Sequence, residues 1–188
     1  MDLFELIKTR RAVFPAQYDG TAVPKADLTK MLEAANWAPS HKKTEPWRFK
    51  VLQGNALVRL GEFLAEVYVQ TTLENKYSTF KENKIRKNPT LAGAVIAICM
   101  QRDPKERVPE WEEIAATAMA VQNMWLMAHH LGLGSYWSSP KLIEYMDRFF
   151  DFEQGERCLG FFYIGYPSTQ EPVEAKRNPI TEKTTWIS

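Results

Sequence analysis

Only two cysteines, Cys99 and Cys158, and three histidines, His41, His129 and His130, occur in the 188 residues. Both cysteines lie in apolar runs that read as strands, where a thiol has a raised pKa and is inert. They are expected to be reduced core residues of a cytoplasmic protein rather than a bridge. His129 and His130 are neighbours on one helical stretch and point in different directions, so they cannot share a metal, and no metal site is expected. Paired cysteines at metal spacing, a His-Glu-x-x-His helix, a P-loop and a glycine-rich dinucleotide fingerprint after a strand are all missing. Gly132-Leu133-Gly134-Ser135-Tyr136 lacks the trailing glycine of a serine nucleophile elbow. An excess of either charge is missing too. With 24 Lys+Arg against 23 Asp+Glu the net charge is +1, which leaves no broad electrostatic footprint for nucleic acid or an anionic membrane. No apolar run reaches about 18 residues, and Met1 to Arg11 is charged and amphipathic, without the apolar core of a signal peptide. A soluble, unprocessed chain is expected.

What is present suits one globular domain over residues 1–188. Hydrophobic residues make up 45% and aromatics 12%, enough to bury roughly 70% of the unfolded surface. Residues 110–131 contain no Gly and no Pro, and Ile114, Ala118, Val121, Met124, Trp125 and Ala128 spread apolar groups around most of a helix. Such a helix must be buried, at the centre of a domain or of a dimer.

Asp2 and Glu5 signal a first helix, with Leu3, Leu6, Ile7 and Arg10 on one inward face. A guanidinium there needs an anion, either an internal carboxylate or a ligand. A second helix with Leu28, Met31, Leu32 and Ala35 stops near Trp37, because Pro39 disfavours a helical residue before it. The segment 38–49 is a rigid polar loop opening into a strand, Trp47 to Leu52, and a third helix carries Leu57, Leu60, Gly61, Leu64 and Tyr68. The basic segment 75–90 reads as a solvated helix or mobile loop, or as a lid over a site. Gly93 to Met100 and Cys158 to Ile164 read as central strands, Ser135 to Ser138 as a short one, and Pro140 as a helix start. The arm from about 168 to 188 is polar until Thr184-Thr185-Trp186-Ile187-Ser188, which reads as a strand docking elsewhere, with a partner subunit as one destination.

Four pieces in order carry a resemblance: Arg10-Arg11 closing the first helix; Ala38-Pro39-Ser40 leading to Pro46-Trp47-Arg48-Phe49; Ala120-Val121-Gln122-Asn123 on a helix ending in Gly132-Leu133-Gly134-Ser135; and Ile164-Gly165-Tyr166-Pro167. Together they resemble the nitroreductase family across essentially the whole chain. The short bacterial NAD(P)H nitroreductases, with a His-Lys pair like His41-Lys42, are the nearest in flavour. The resemblance implies an α+β fold, a central mixed, mostly antiparallel sheet with helices on both faces around a long buried helix. It also implies a homodimer with FMN at the subunit interface and a hydride passed from NADH or NADPH to flavin N5. A nitroaromatic, quinone or similar small-molecule acceptor is then reduced in a ping-pong cycle. By match to the motifs, Arg10, Arg11 and Ala12 would contact the cofactor. Trp37 and His41 would reach the flavin of the other subunit, with Pro39 and Ser40 near the ring. Trp137, Ser138 and Ser139 would flank the cofactor, and Lys176 and Arg177 would meet its phosphate. Met127, Ala128, His129, His130, Leu131 and Gly132 would lie near the nicotinamide nucleotide. No catalytic acid, base or nucleophile is required, because the flavin carries the chemistry. The alternative within the same fold is a protein that binds flavin for storage or sensing without turnover. Phe14 stands where the family often has a basic residue, so Lys42 or Lys43 would have to substitute, or the flavin potential would shift downward.

Overall fold

Three apolar stretches become the two central strands and one edge of a sheet, and everything else packs on its faces. The computed structural model describes residues 2–169 and 175–188. In chain order the elements are α1 (Leu3–Thr9), α2 (Lys25–Asn36), β1 (Trp47–Leu52), α3 (Asn55–Thr71), α4 (Thr79–Lys87), β2 (Ala94–Gln101), α5 (Glu110–His130), β3 (Gly134–Ser138) and β4 (Glu156–Gly165). The sheet order is β1-β2-β4-β3, and all three pairings are antiparallel. The expected mixed character shrinks to one parallel bridge, Ala12 to Ser135, on the β3 edge.

The run Ala94 to Met100 is buried on both faces, as an apolar run without alternation requires. Ile96, Ile98, Phe162 and Ile164 meet α2 and α5 on one face. Val95, Ala97, Cys99 and Phe161 meet α3 and Met146 on the other. Cys99 and Cys158 are free and buried, opposite each other where the β2–β4 register shifts. The hydrogen bond with Cys158, then burial, pushes the Cys99 thiol up.

The structure refines several expectations. α5 is covered on one side only: Glu113, Ala116, Thr117, Ala120, Val121, Met124 and Ala128 are buried, while Trp111 and Met119 are exposed. α1 begins as expected, with Asp2 accepting the Glu5 N–H at 3.0 Å, yet none of its residues is buried, and Leu3, Phe4 and Ile7 are exposed. Periodicity marks a face as apolar without saying what covers it, and no described residue buries this one. The stretch after Pro140 coils as a 3-10 helix, Lys141–Arg148. The last five residues pair with no described strand, and Trp186 and Ile187 are 91% and 95% exposed. Residues 170–174 of the arm lie outside the described residues.

The basic segment is a docked helix. Gly61 of α3 lets α4 approach so closely that a Cβ there would lie 2.1 Å from the Arg86 carbonyl oxygen. Arg86 pairs with Glu62 and, at 2.6 Å, with Glu82. α4 rests on α3, across the sheet from α5, so within one chain it covers nothing on the α5 face.

Candidate functional site

Two clusters sit at opposite ends of α5. At its C-terminal end, the Arg10 guanidinium lies 4.5 Å from the centre of the Trp125 ring. The internal carboxylate that sequence alone allows for it is not found: no Asp or Glu among the described residues pairs with Arg10. Burial, then repulsion from Arg11 and Arg177, pushes the guanidinium below its ordinary value. It stays cationic, since arginine does not give up its proton in proteins. Trp125 and His129 are four residues apart and so share a side of α5. The His129 Nε2 lies 2.9 Å from Thr9 Oγ1, and that hydroxyl donates to the Glu5 carbonyl at 2.6 Å. Arg11 donates to the carbonyls of Lys8 and Arg10, each at 2.7 Å.

The chain then runs along β3. Val13 N–H donates to the Ser135 carbonyl at 3.1 Å, which sets Ala12 beside the strand. Gly134 must lack a side chain, because a Cβ would come within 2.8 Å of Val13. Trp137 packs over Gly160, where a Cβ would meet the indole nitrogen at 2.2 Å. The indole N–H groups of Trp125 and Trp137 and the Ser135 hydroxyl are buried without a hydrogen-bond partner among the described residues. Ser138 closes β3 half-buried and Ser139 is exposed. Lys176 and Arg177 are exposed, Arg177 donating to the Lys176 carbonyl at 3.0 Å.

The second cluster lies where α2 stops. Trp37 is 87% exposed, so it is not a core residue, whereas Trp47 is 7% exposed and donates its indole N–H to Asn36 at 3.1 Å. Pro39 is exposed. The Ser40 hydroxyl accepts the Glu45 N–H at 2.8 Å and so closes the loop. His41 Nδ1 meets Glu112 at 2.5 Å, and Lys42 donates to the Arg107 carbonyl at 2.9 Å. Among the described non-glycine residues, four have left-handed φ: Lys42 at 52°, Lys43 at 53°, Glu45 at 43° and Glu106 at 47°. Three of them fall within four residues of this loop, and the fourth lies on the loop that Lys42 grips. Strain of about 1–3 kcal/mol each is held only where surroundings over-determine the backbone, which is typical of functional loops. The surroundings here are a charge network. Arg102 pairs with fully buried Glu113, the Asp103 N–H donates to Glu113 at 2.8 Å, and Arg107 meets Asp103 at 2.7 Å.

Seventeen residues of α5 separate Glu112 from His129, about 26 Å at a rise of 1.5 Å per residue. The loop 38–46 also leads into β1 while Arg10 to Val13 lie against β3, at opposite sheet edges. One flavin-sized ligand cannot touch both clusters of the same chain.

Residues 7–166 match the family model described as "Nitroreductase family". The chain belongs to this family. It is 30% identical to the "Putative NAD(P)H nitroreductase YfhC" of Bacillus subtilis (strain 168), over 97% of this chain and 93% of that one. It is also 30% identical to a solved nitroreductase-like family protein from Bacillus cereus, covering 100% of this chain and 96% of that chain with a TM-score of 0.81. The fold further matches the FMN-dependent nitroreductase NfnB of Mycobacterium smegmatis, solved in complex with NADPH. That match is 18% identical, covers both chains fully and has a TM-score of 0.78.

In this nitroreductase-family chain the segment from Met127 to Gly132 splits between surroundings. Met127 and His130 line a cleft of about 210 Å³ with Leu3, Leu6 and Leu126. Ala128 is fully buried, Leu131 packs on the core, and Gly132 turns the chain with φ at +76°. His129 faces Arg10 and Arg11, whose charges, after burial, hold its imidazole below the ordinary value. Phe14 turns onto Tyr136, with ring centres 4.8 Å apart. Lys42, one of the two lysines named as its substitute, is engaged with Arg107, and Lys43 is exposed. Trp125, read from sequence only as helix core, joins the candidate site through its contact with Arg10. Its spacing of four from His129 was the available signal.

Proposed function

We propose that this chain is an FMN-dependent NAD(P)H oxidoreductase acting as a homodimer, with each flavin held between two copies. One observation carries the reading: Arg10 is half-buried, seated on an aromatic face, without a carboxylate among the described residues, and close to two further arginines. Family membership makes a flavin phosphate the natural anion, and the NfnB relative is FMN-dependent in name. The separation of the two clusters supports the dimer, since a second copy is the simplest source of Trp37 and His41 at the Arg10 end. The uncovered apolar sides of α1 and α5 offer it a contact surface, and the exposed tail, with Trp186 and Ile187, fits exchange between subunits.

In this arrangement Arg10, Arg11 and Arg177 bind the phosphate, with Lys176 adjacent, and Ala12 brings backbone to the ligand. Trp137 and Ser138 form a wall, its indole held by the missing side chain at Gly160. Pro39, Ser40 and the strained loop after them fix the position of Trp37, whose exposed ring can exclude water from a flat partner. The bound flavin supplies hydride acceptance from NADH or NADPH and delivery to a nitroaromatic, quinone or similar acceptor in alternating half-reactions. Two charge-assisted hydrogen bonds contribute about 3–6 kcal/mol, against about 12 for nanomolar binding. Ring burial and backbone hydrogen bonds must supply the remainder.

The purified protein should be yellow, with a flavin spectrum bleached by NADH or NADPH. A colourless protein that takes up no added FMN rejects the reading, and tightly held FMN that neither nucleotide bleaches leaves binding without turnover.

A further inference from the structure

We propose that His129 is the proton-accepting member of the phosphate pocket: as a phosphate dianion enters among Arg10, Arg11 and Arg177, the His129 Nδ1 takes up a proton. This rests on the proposed flavin site and adds to it a residue and a linkage that the arginines alone do not give.

The geometry fixes the free state of the ring. A carbonyl oxygen only accepts, so the Thr9 hydroxyl donates to Glu5. The same hydroxyl oxygen must therefore accept from His129, which places the ring proton on Nε2. Nδ1 then carries a lone pair with no partner among the described residues. The groups around it come from three places. α1 offers Glu5 and Lys8, paired with each other at 3.4 Å, and leads into Arg10 and Arg11. α5 offers Trp125 on the same side and His130 turned outward. The tail offers Arg177, close enough to repel Arg10, with Lys176 beside it. In the free protein burial, then the charges of Arg10 and Arg11, disfavours the imidazolium and holds the ring below its ordinary value. A dianion reverses the local field and favours the imidazolium, as an opposite charge nearby does for any titrating group.

Above pH 7 the ligand phosphate stays essentially dianionic, its second pKa lying near 6. Any pH dependence of binding above that point belongs to the protein. The affinity of flavin-depleted protein for FMN, and for riboflavin as the phosphate-free probe, is to be measured by fluorescence quenching from pH 7 to 8.5. Wild type should lose FMN affinity several-fold across this range while riboflavin binding stays level. His129→Gln, whose amide can still donate to Thr9, should bind FMN with no slope. As a second readout on unaltered protein, the imidazole ¹⁵N shifts at pH 7 should change from the neutral Nε2–H form to the cation on adding FMN. A level FMN profile in wild type, the same slope in the variant, or ¹⁵N shifts that stay neutral overturns the inference while FMN binding itself survives. Absence of FMN binding at every pH overturns the flavin reading instead.

Discussion

At the N-terminal end of α5, His41, Lys42, Arg102 and Arg107 each meet a carboxylate or a carbonyl. At the C-terminal end Arg10 rests on an indole, and its nearest charged neighbours repel it. The first arrangement spends charge on holding a strained loop. The second keeps charge available. A fold that must only be stable pairs its buried cations, so the contrast supports the proposal that the Arg10 end receives an anion.

The contrast breaks most visibly at the unpaired end. Arg10→Ala combined with Arg177→Ala should weaken FMN binding by about 3–6 kcal/mol, from two charge-assisted hydrogen bonds. The flavin-free protein should melt no lower than wild type, because the change removes repulsion. Titration of FMN into both proteins and a thermal scan of each check this pair of outcomes. A variant that loses stability and keeps its flavin would make Arg10 a structural residue.

Glu113→Ala tests the other end with the opposite signature. Glu113 is fully buried and takes both Arg102 and the Asp103 N–H. Its loss leaves an uncompensated guanidinium at a cost of about 3–5 kcal/mol, to be read from the urea midpoint. Trp37→Ala gives a smaller effect that sharpens the proposed sharing between subunits. A side chain 87% exposed should change stability by no more than about 0.5 kcal/mol. If it covers the partner's flavin, FMN affinity falls by about 0.5–1.5 kcal/mol, the range for one aromatic pair.

Much of the scaffold was legible in the residues. β1 spans Trp47 to Leu52 as read, β2 and β4 follow from apolar runs without alternation, and Asp2 caps α1 as its spacing with Glu5 implies. The candidate site was suggested only through motif order, because its contacts join positions far apart in the chain. Arg10 over Trp125, Thr9 on His129 and His41 on Glu112 leave no local pattern. Apolarity alone does not say what covers a surface: among the described residues Leu3, Phe4 and Ile7 of α1, Trp111 and Met119 on the outer side of α5, and Trp186 are left exposed. Hydrophobicity records that a surface needs a partner without recording whether the partner lies in the same molecule.

The smallest effect separates the two ends by pH. Hydrogen bonds from Arg107 hold the Asp103 carboxyl down to about 2, against about 3.9 in an unfolded chain. The unfolded state therefore takes up its proton first on acidification. The contribution of Asp103 is complete above about pH 4 and is lost as pH falls through about 2. His129 in the flavin-free protein is also held below its ordinary value, so it too destabilises on acidification, but in a window that opens below about 6.5. Urea midpoints of wild type and Asp103→Asn should differ by a constant amount above pH 4 and converge toward pH 2. Relative to His129→Gln, flavin-free wild type should lose stability between about pH 7 and 5, and saturating FMN, by lifting the imidazole above its unfolded value, should reverse the sign of that drift. Drift of unchanged sign in saturating FMN would mean that the anion and the imidazole do not share a pocket.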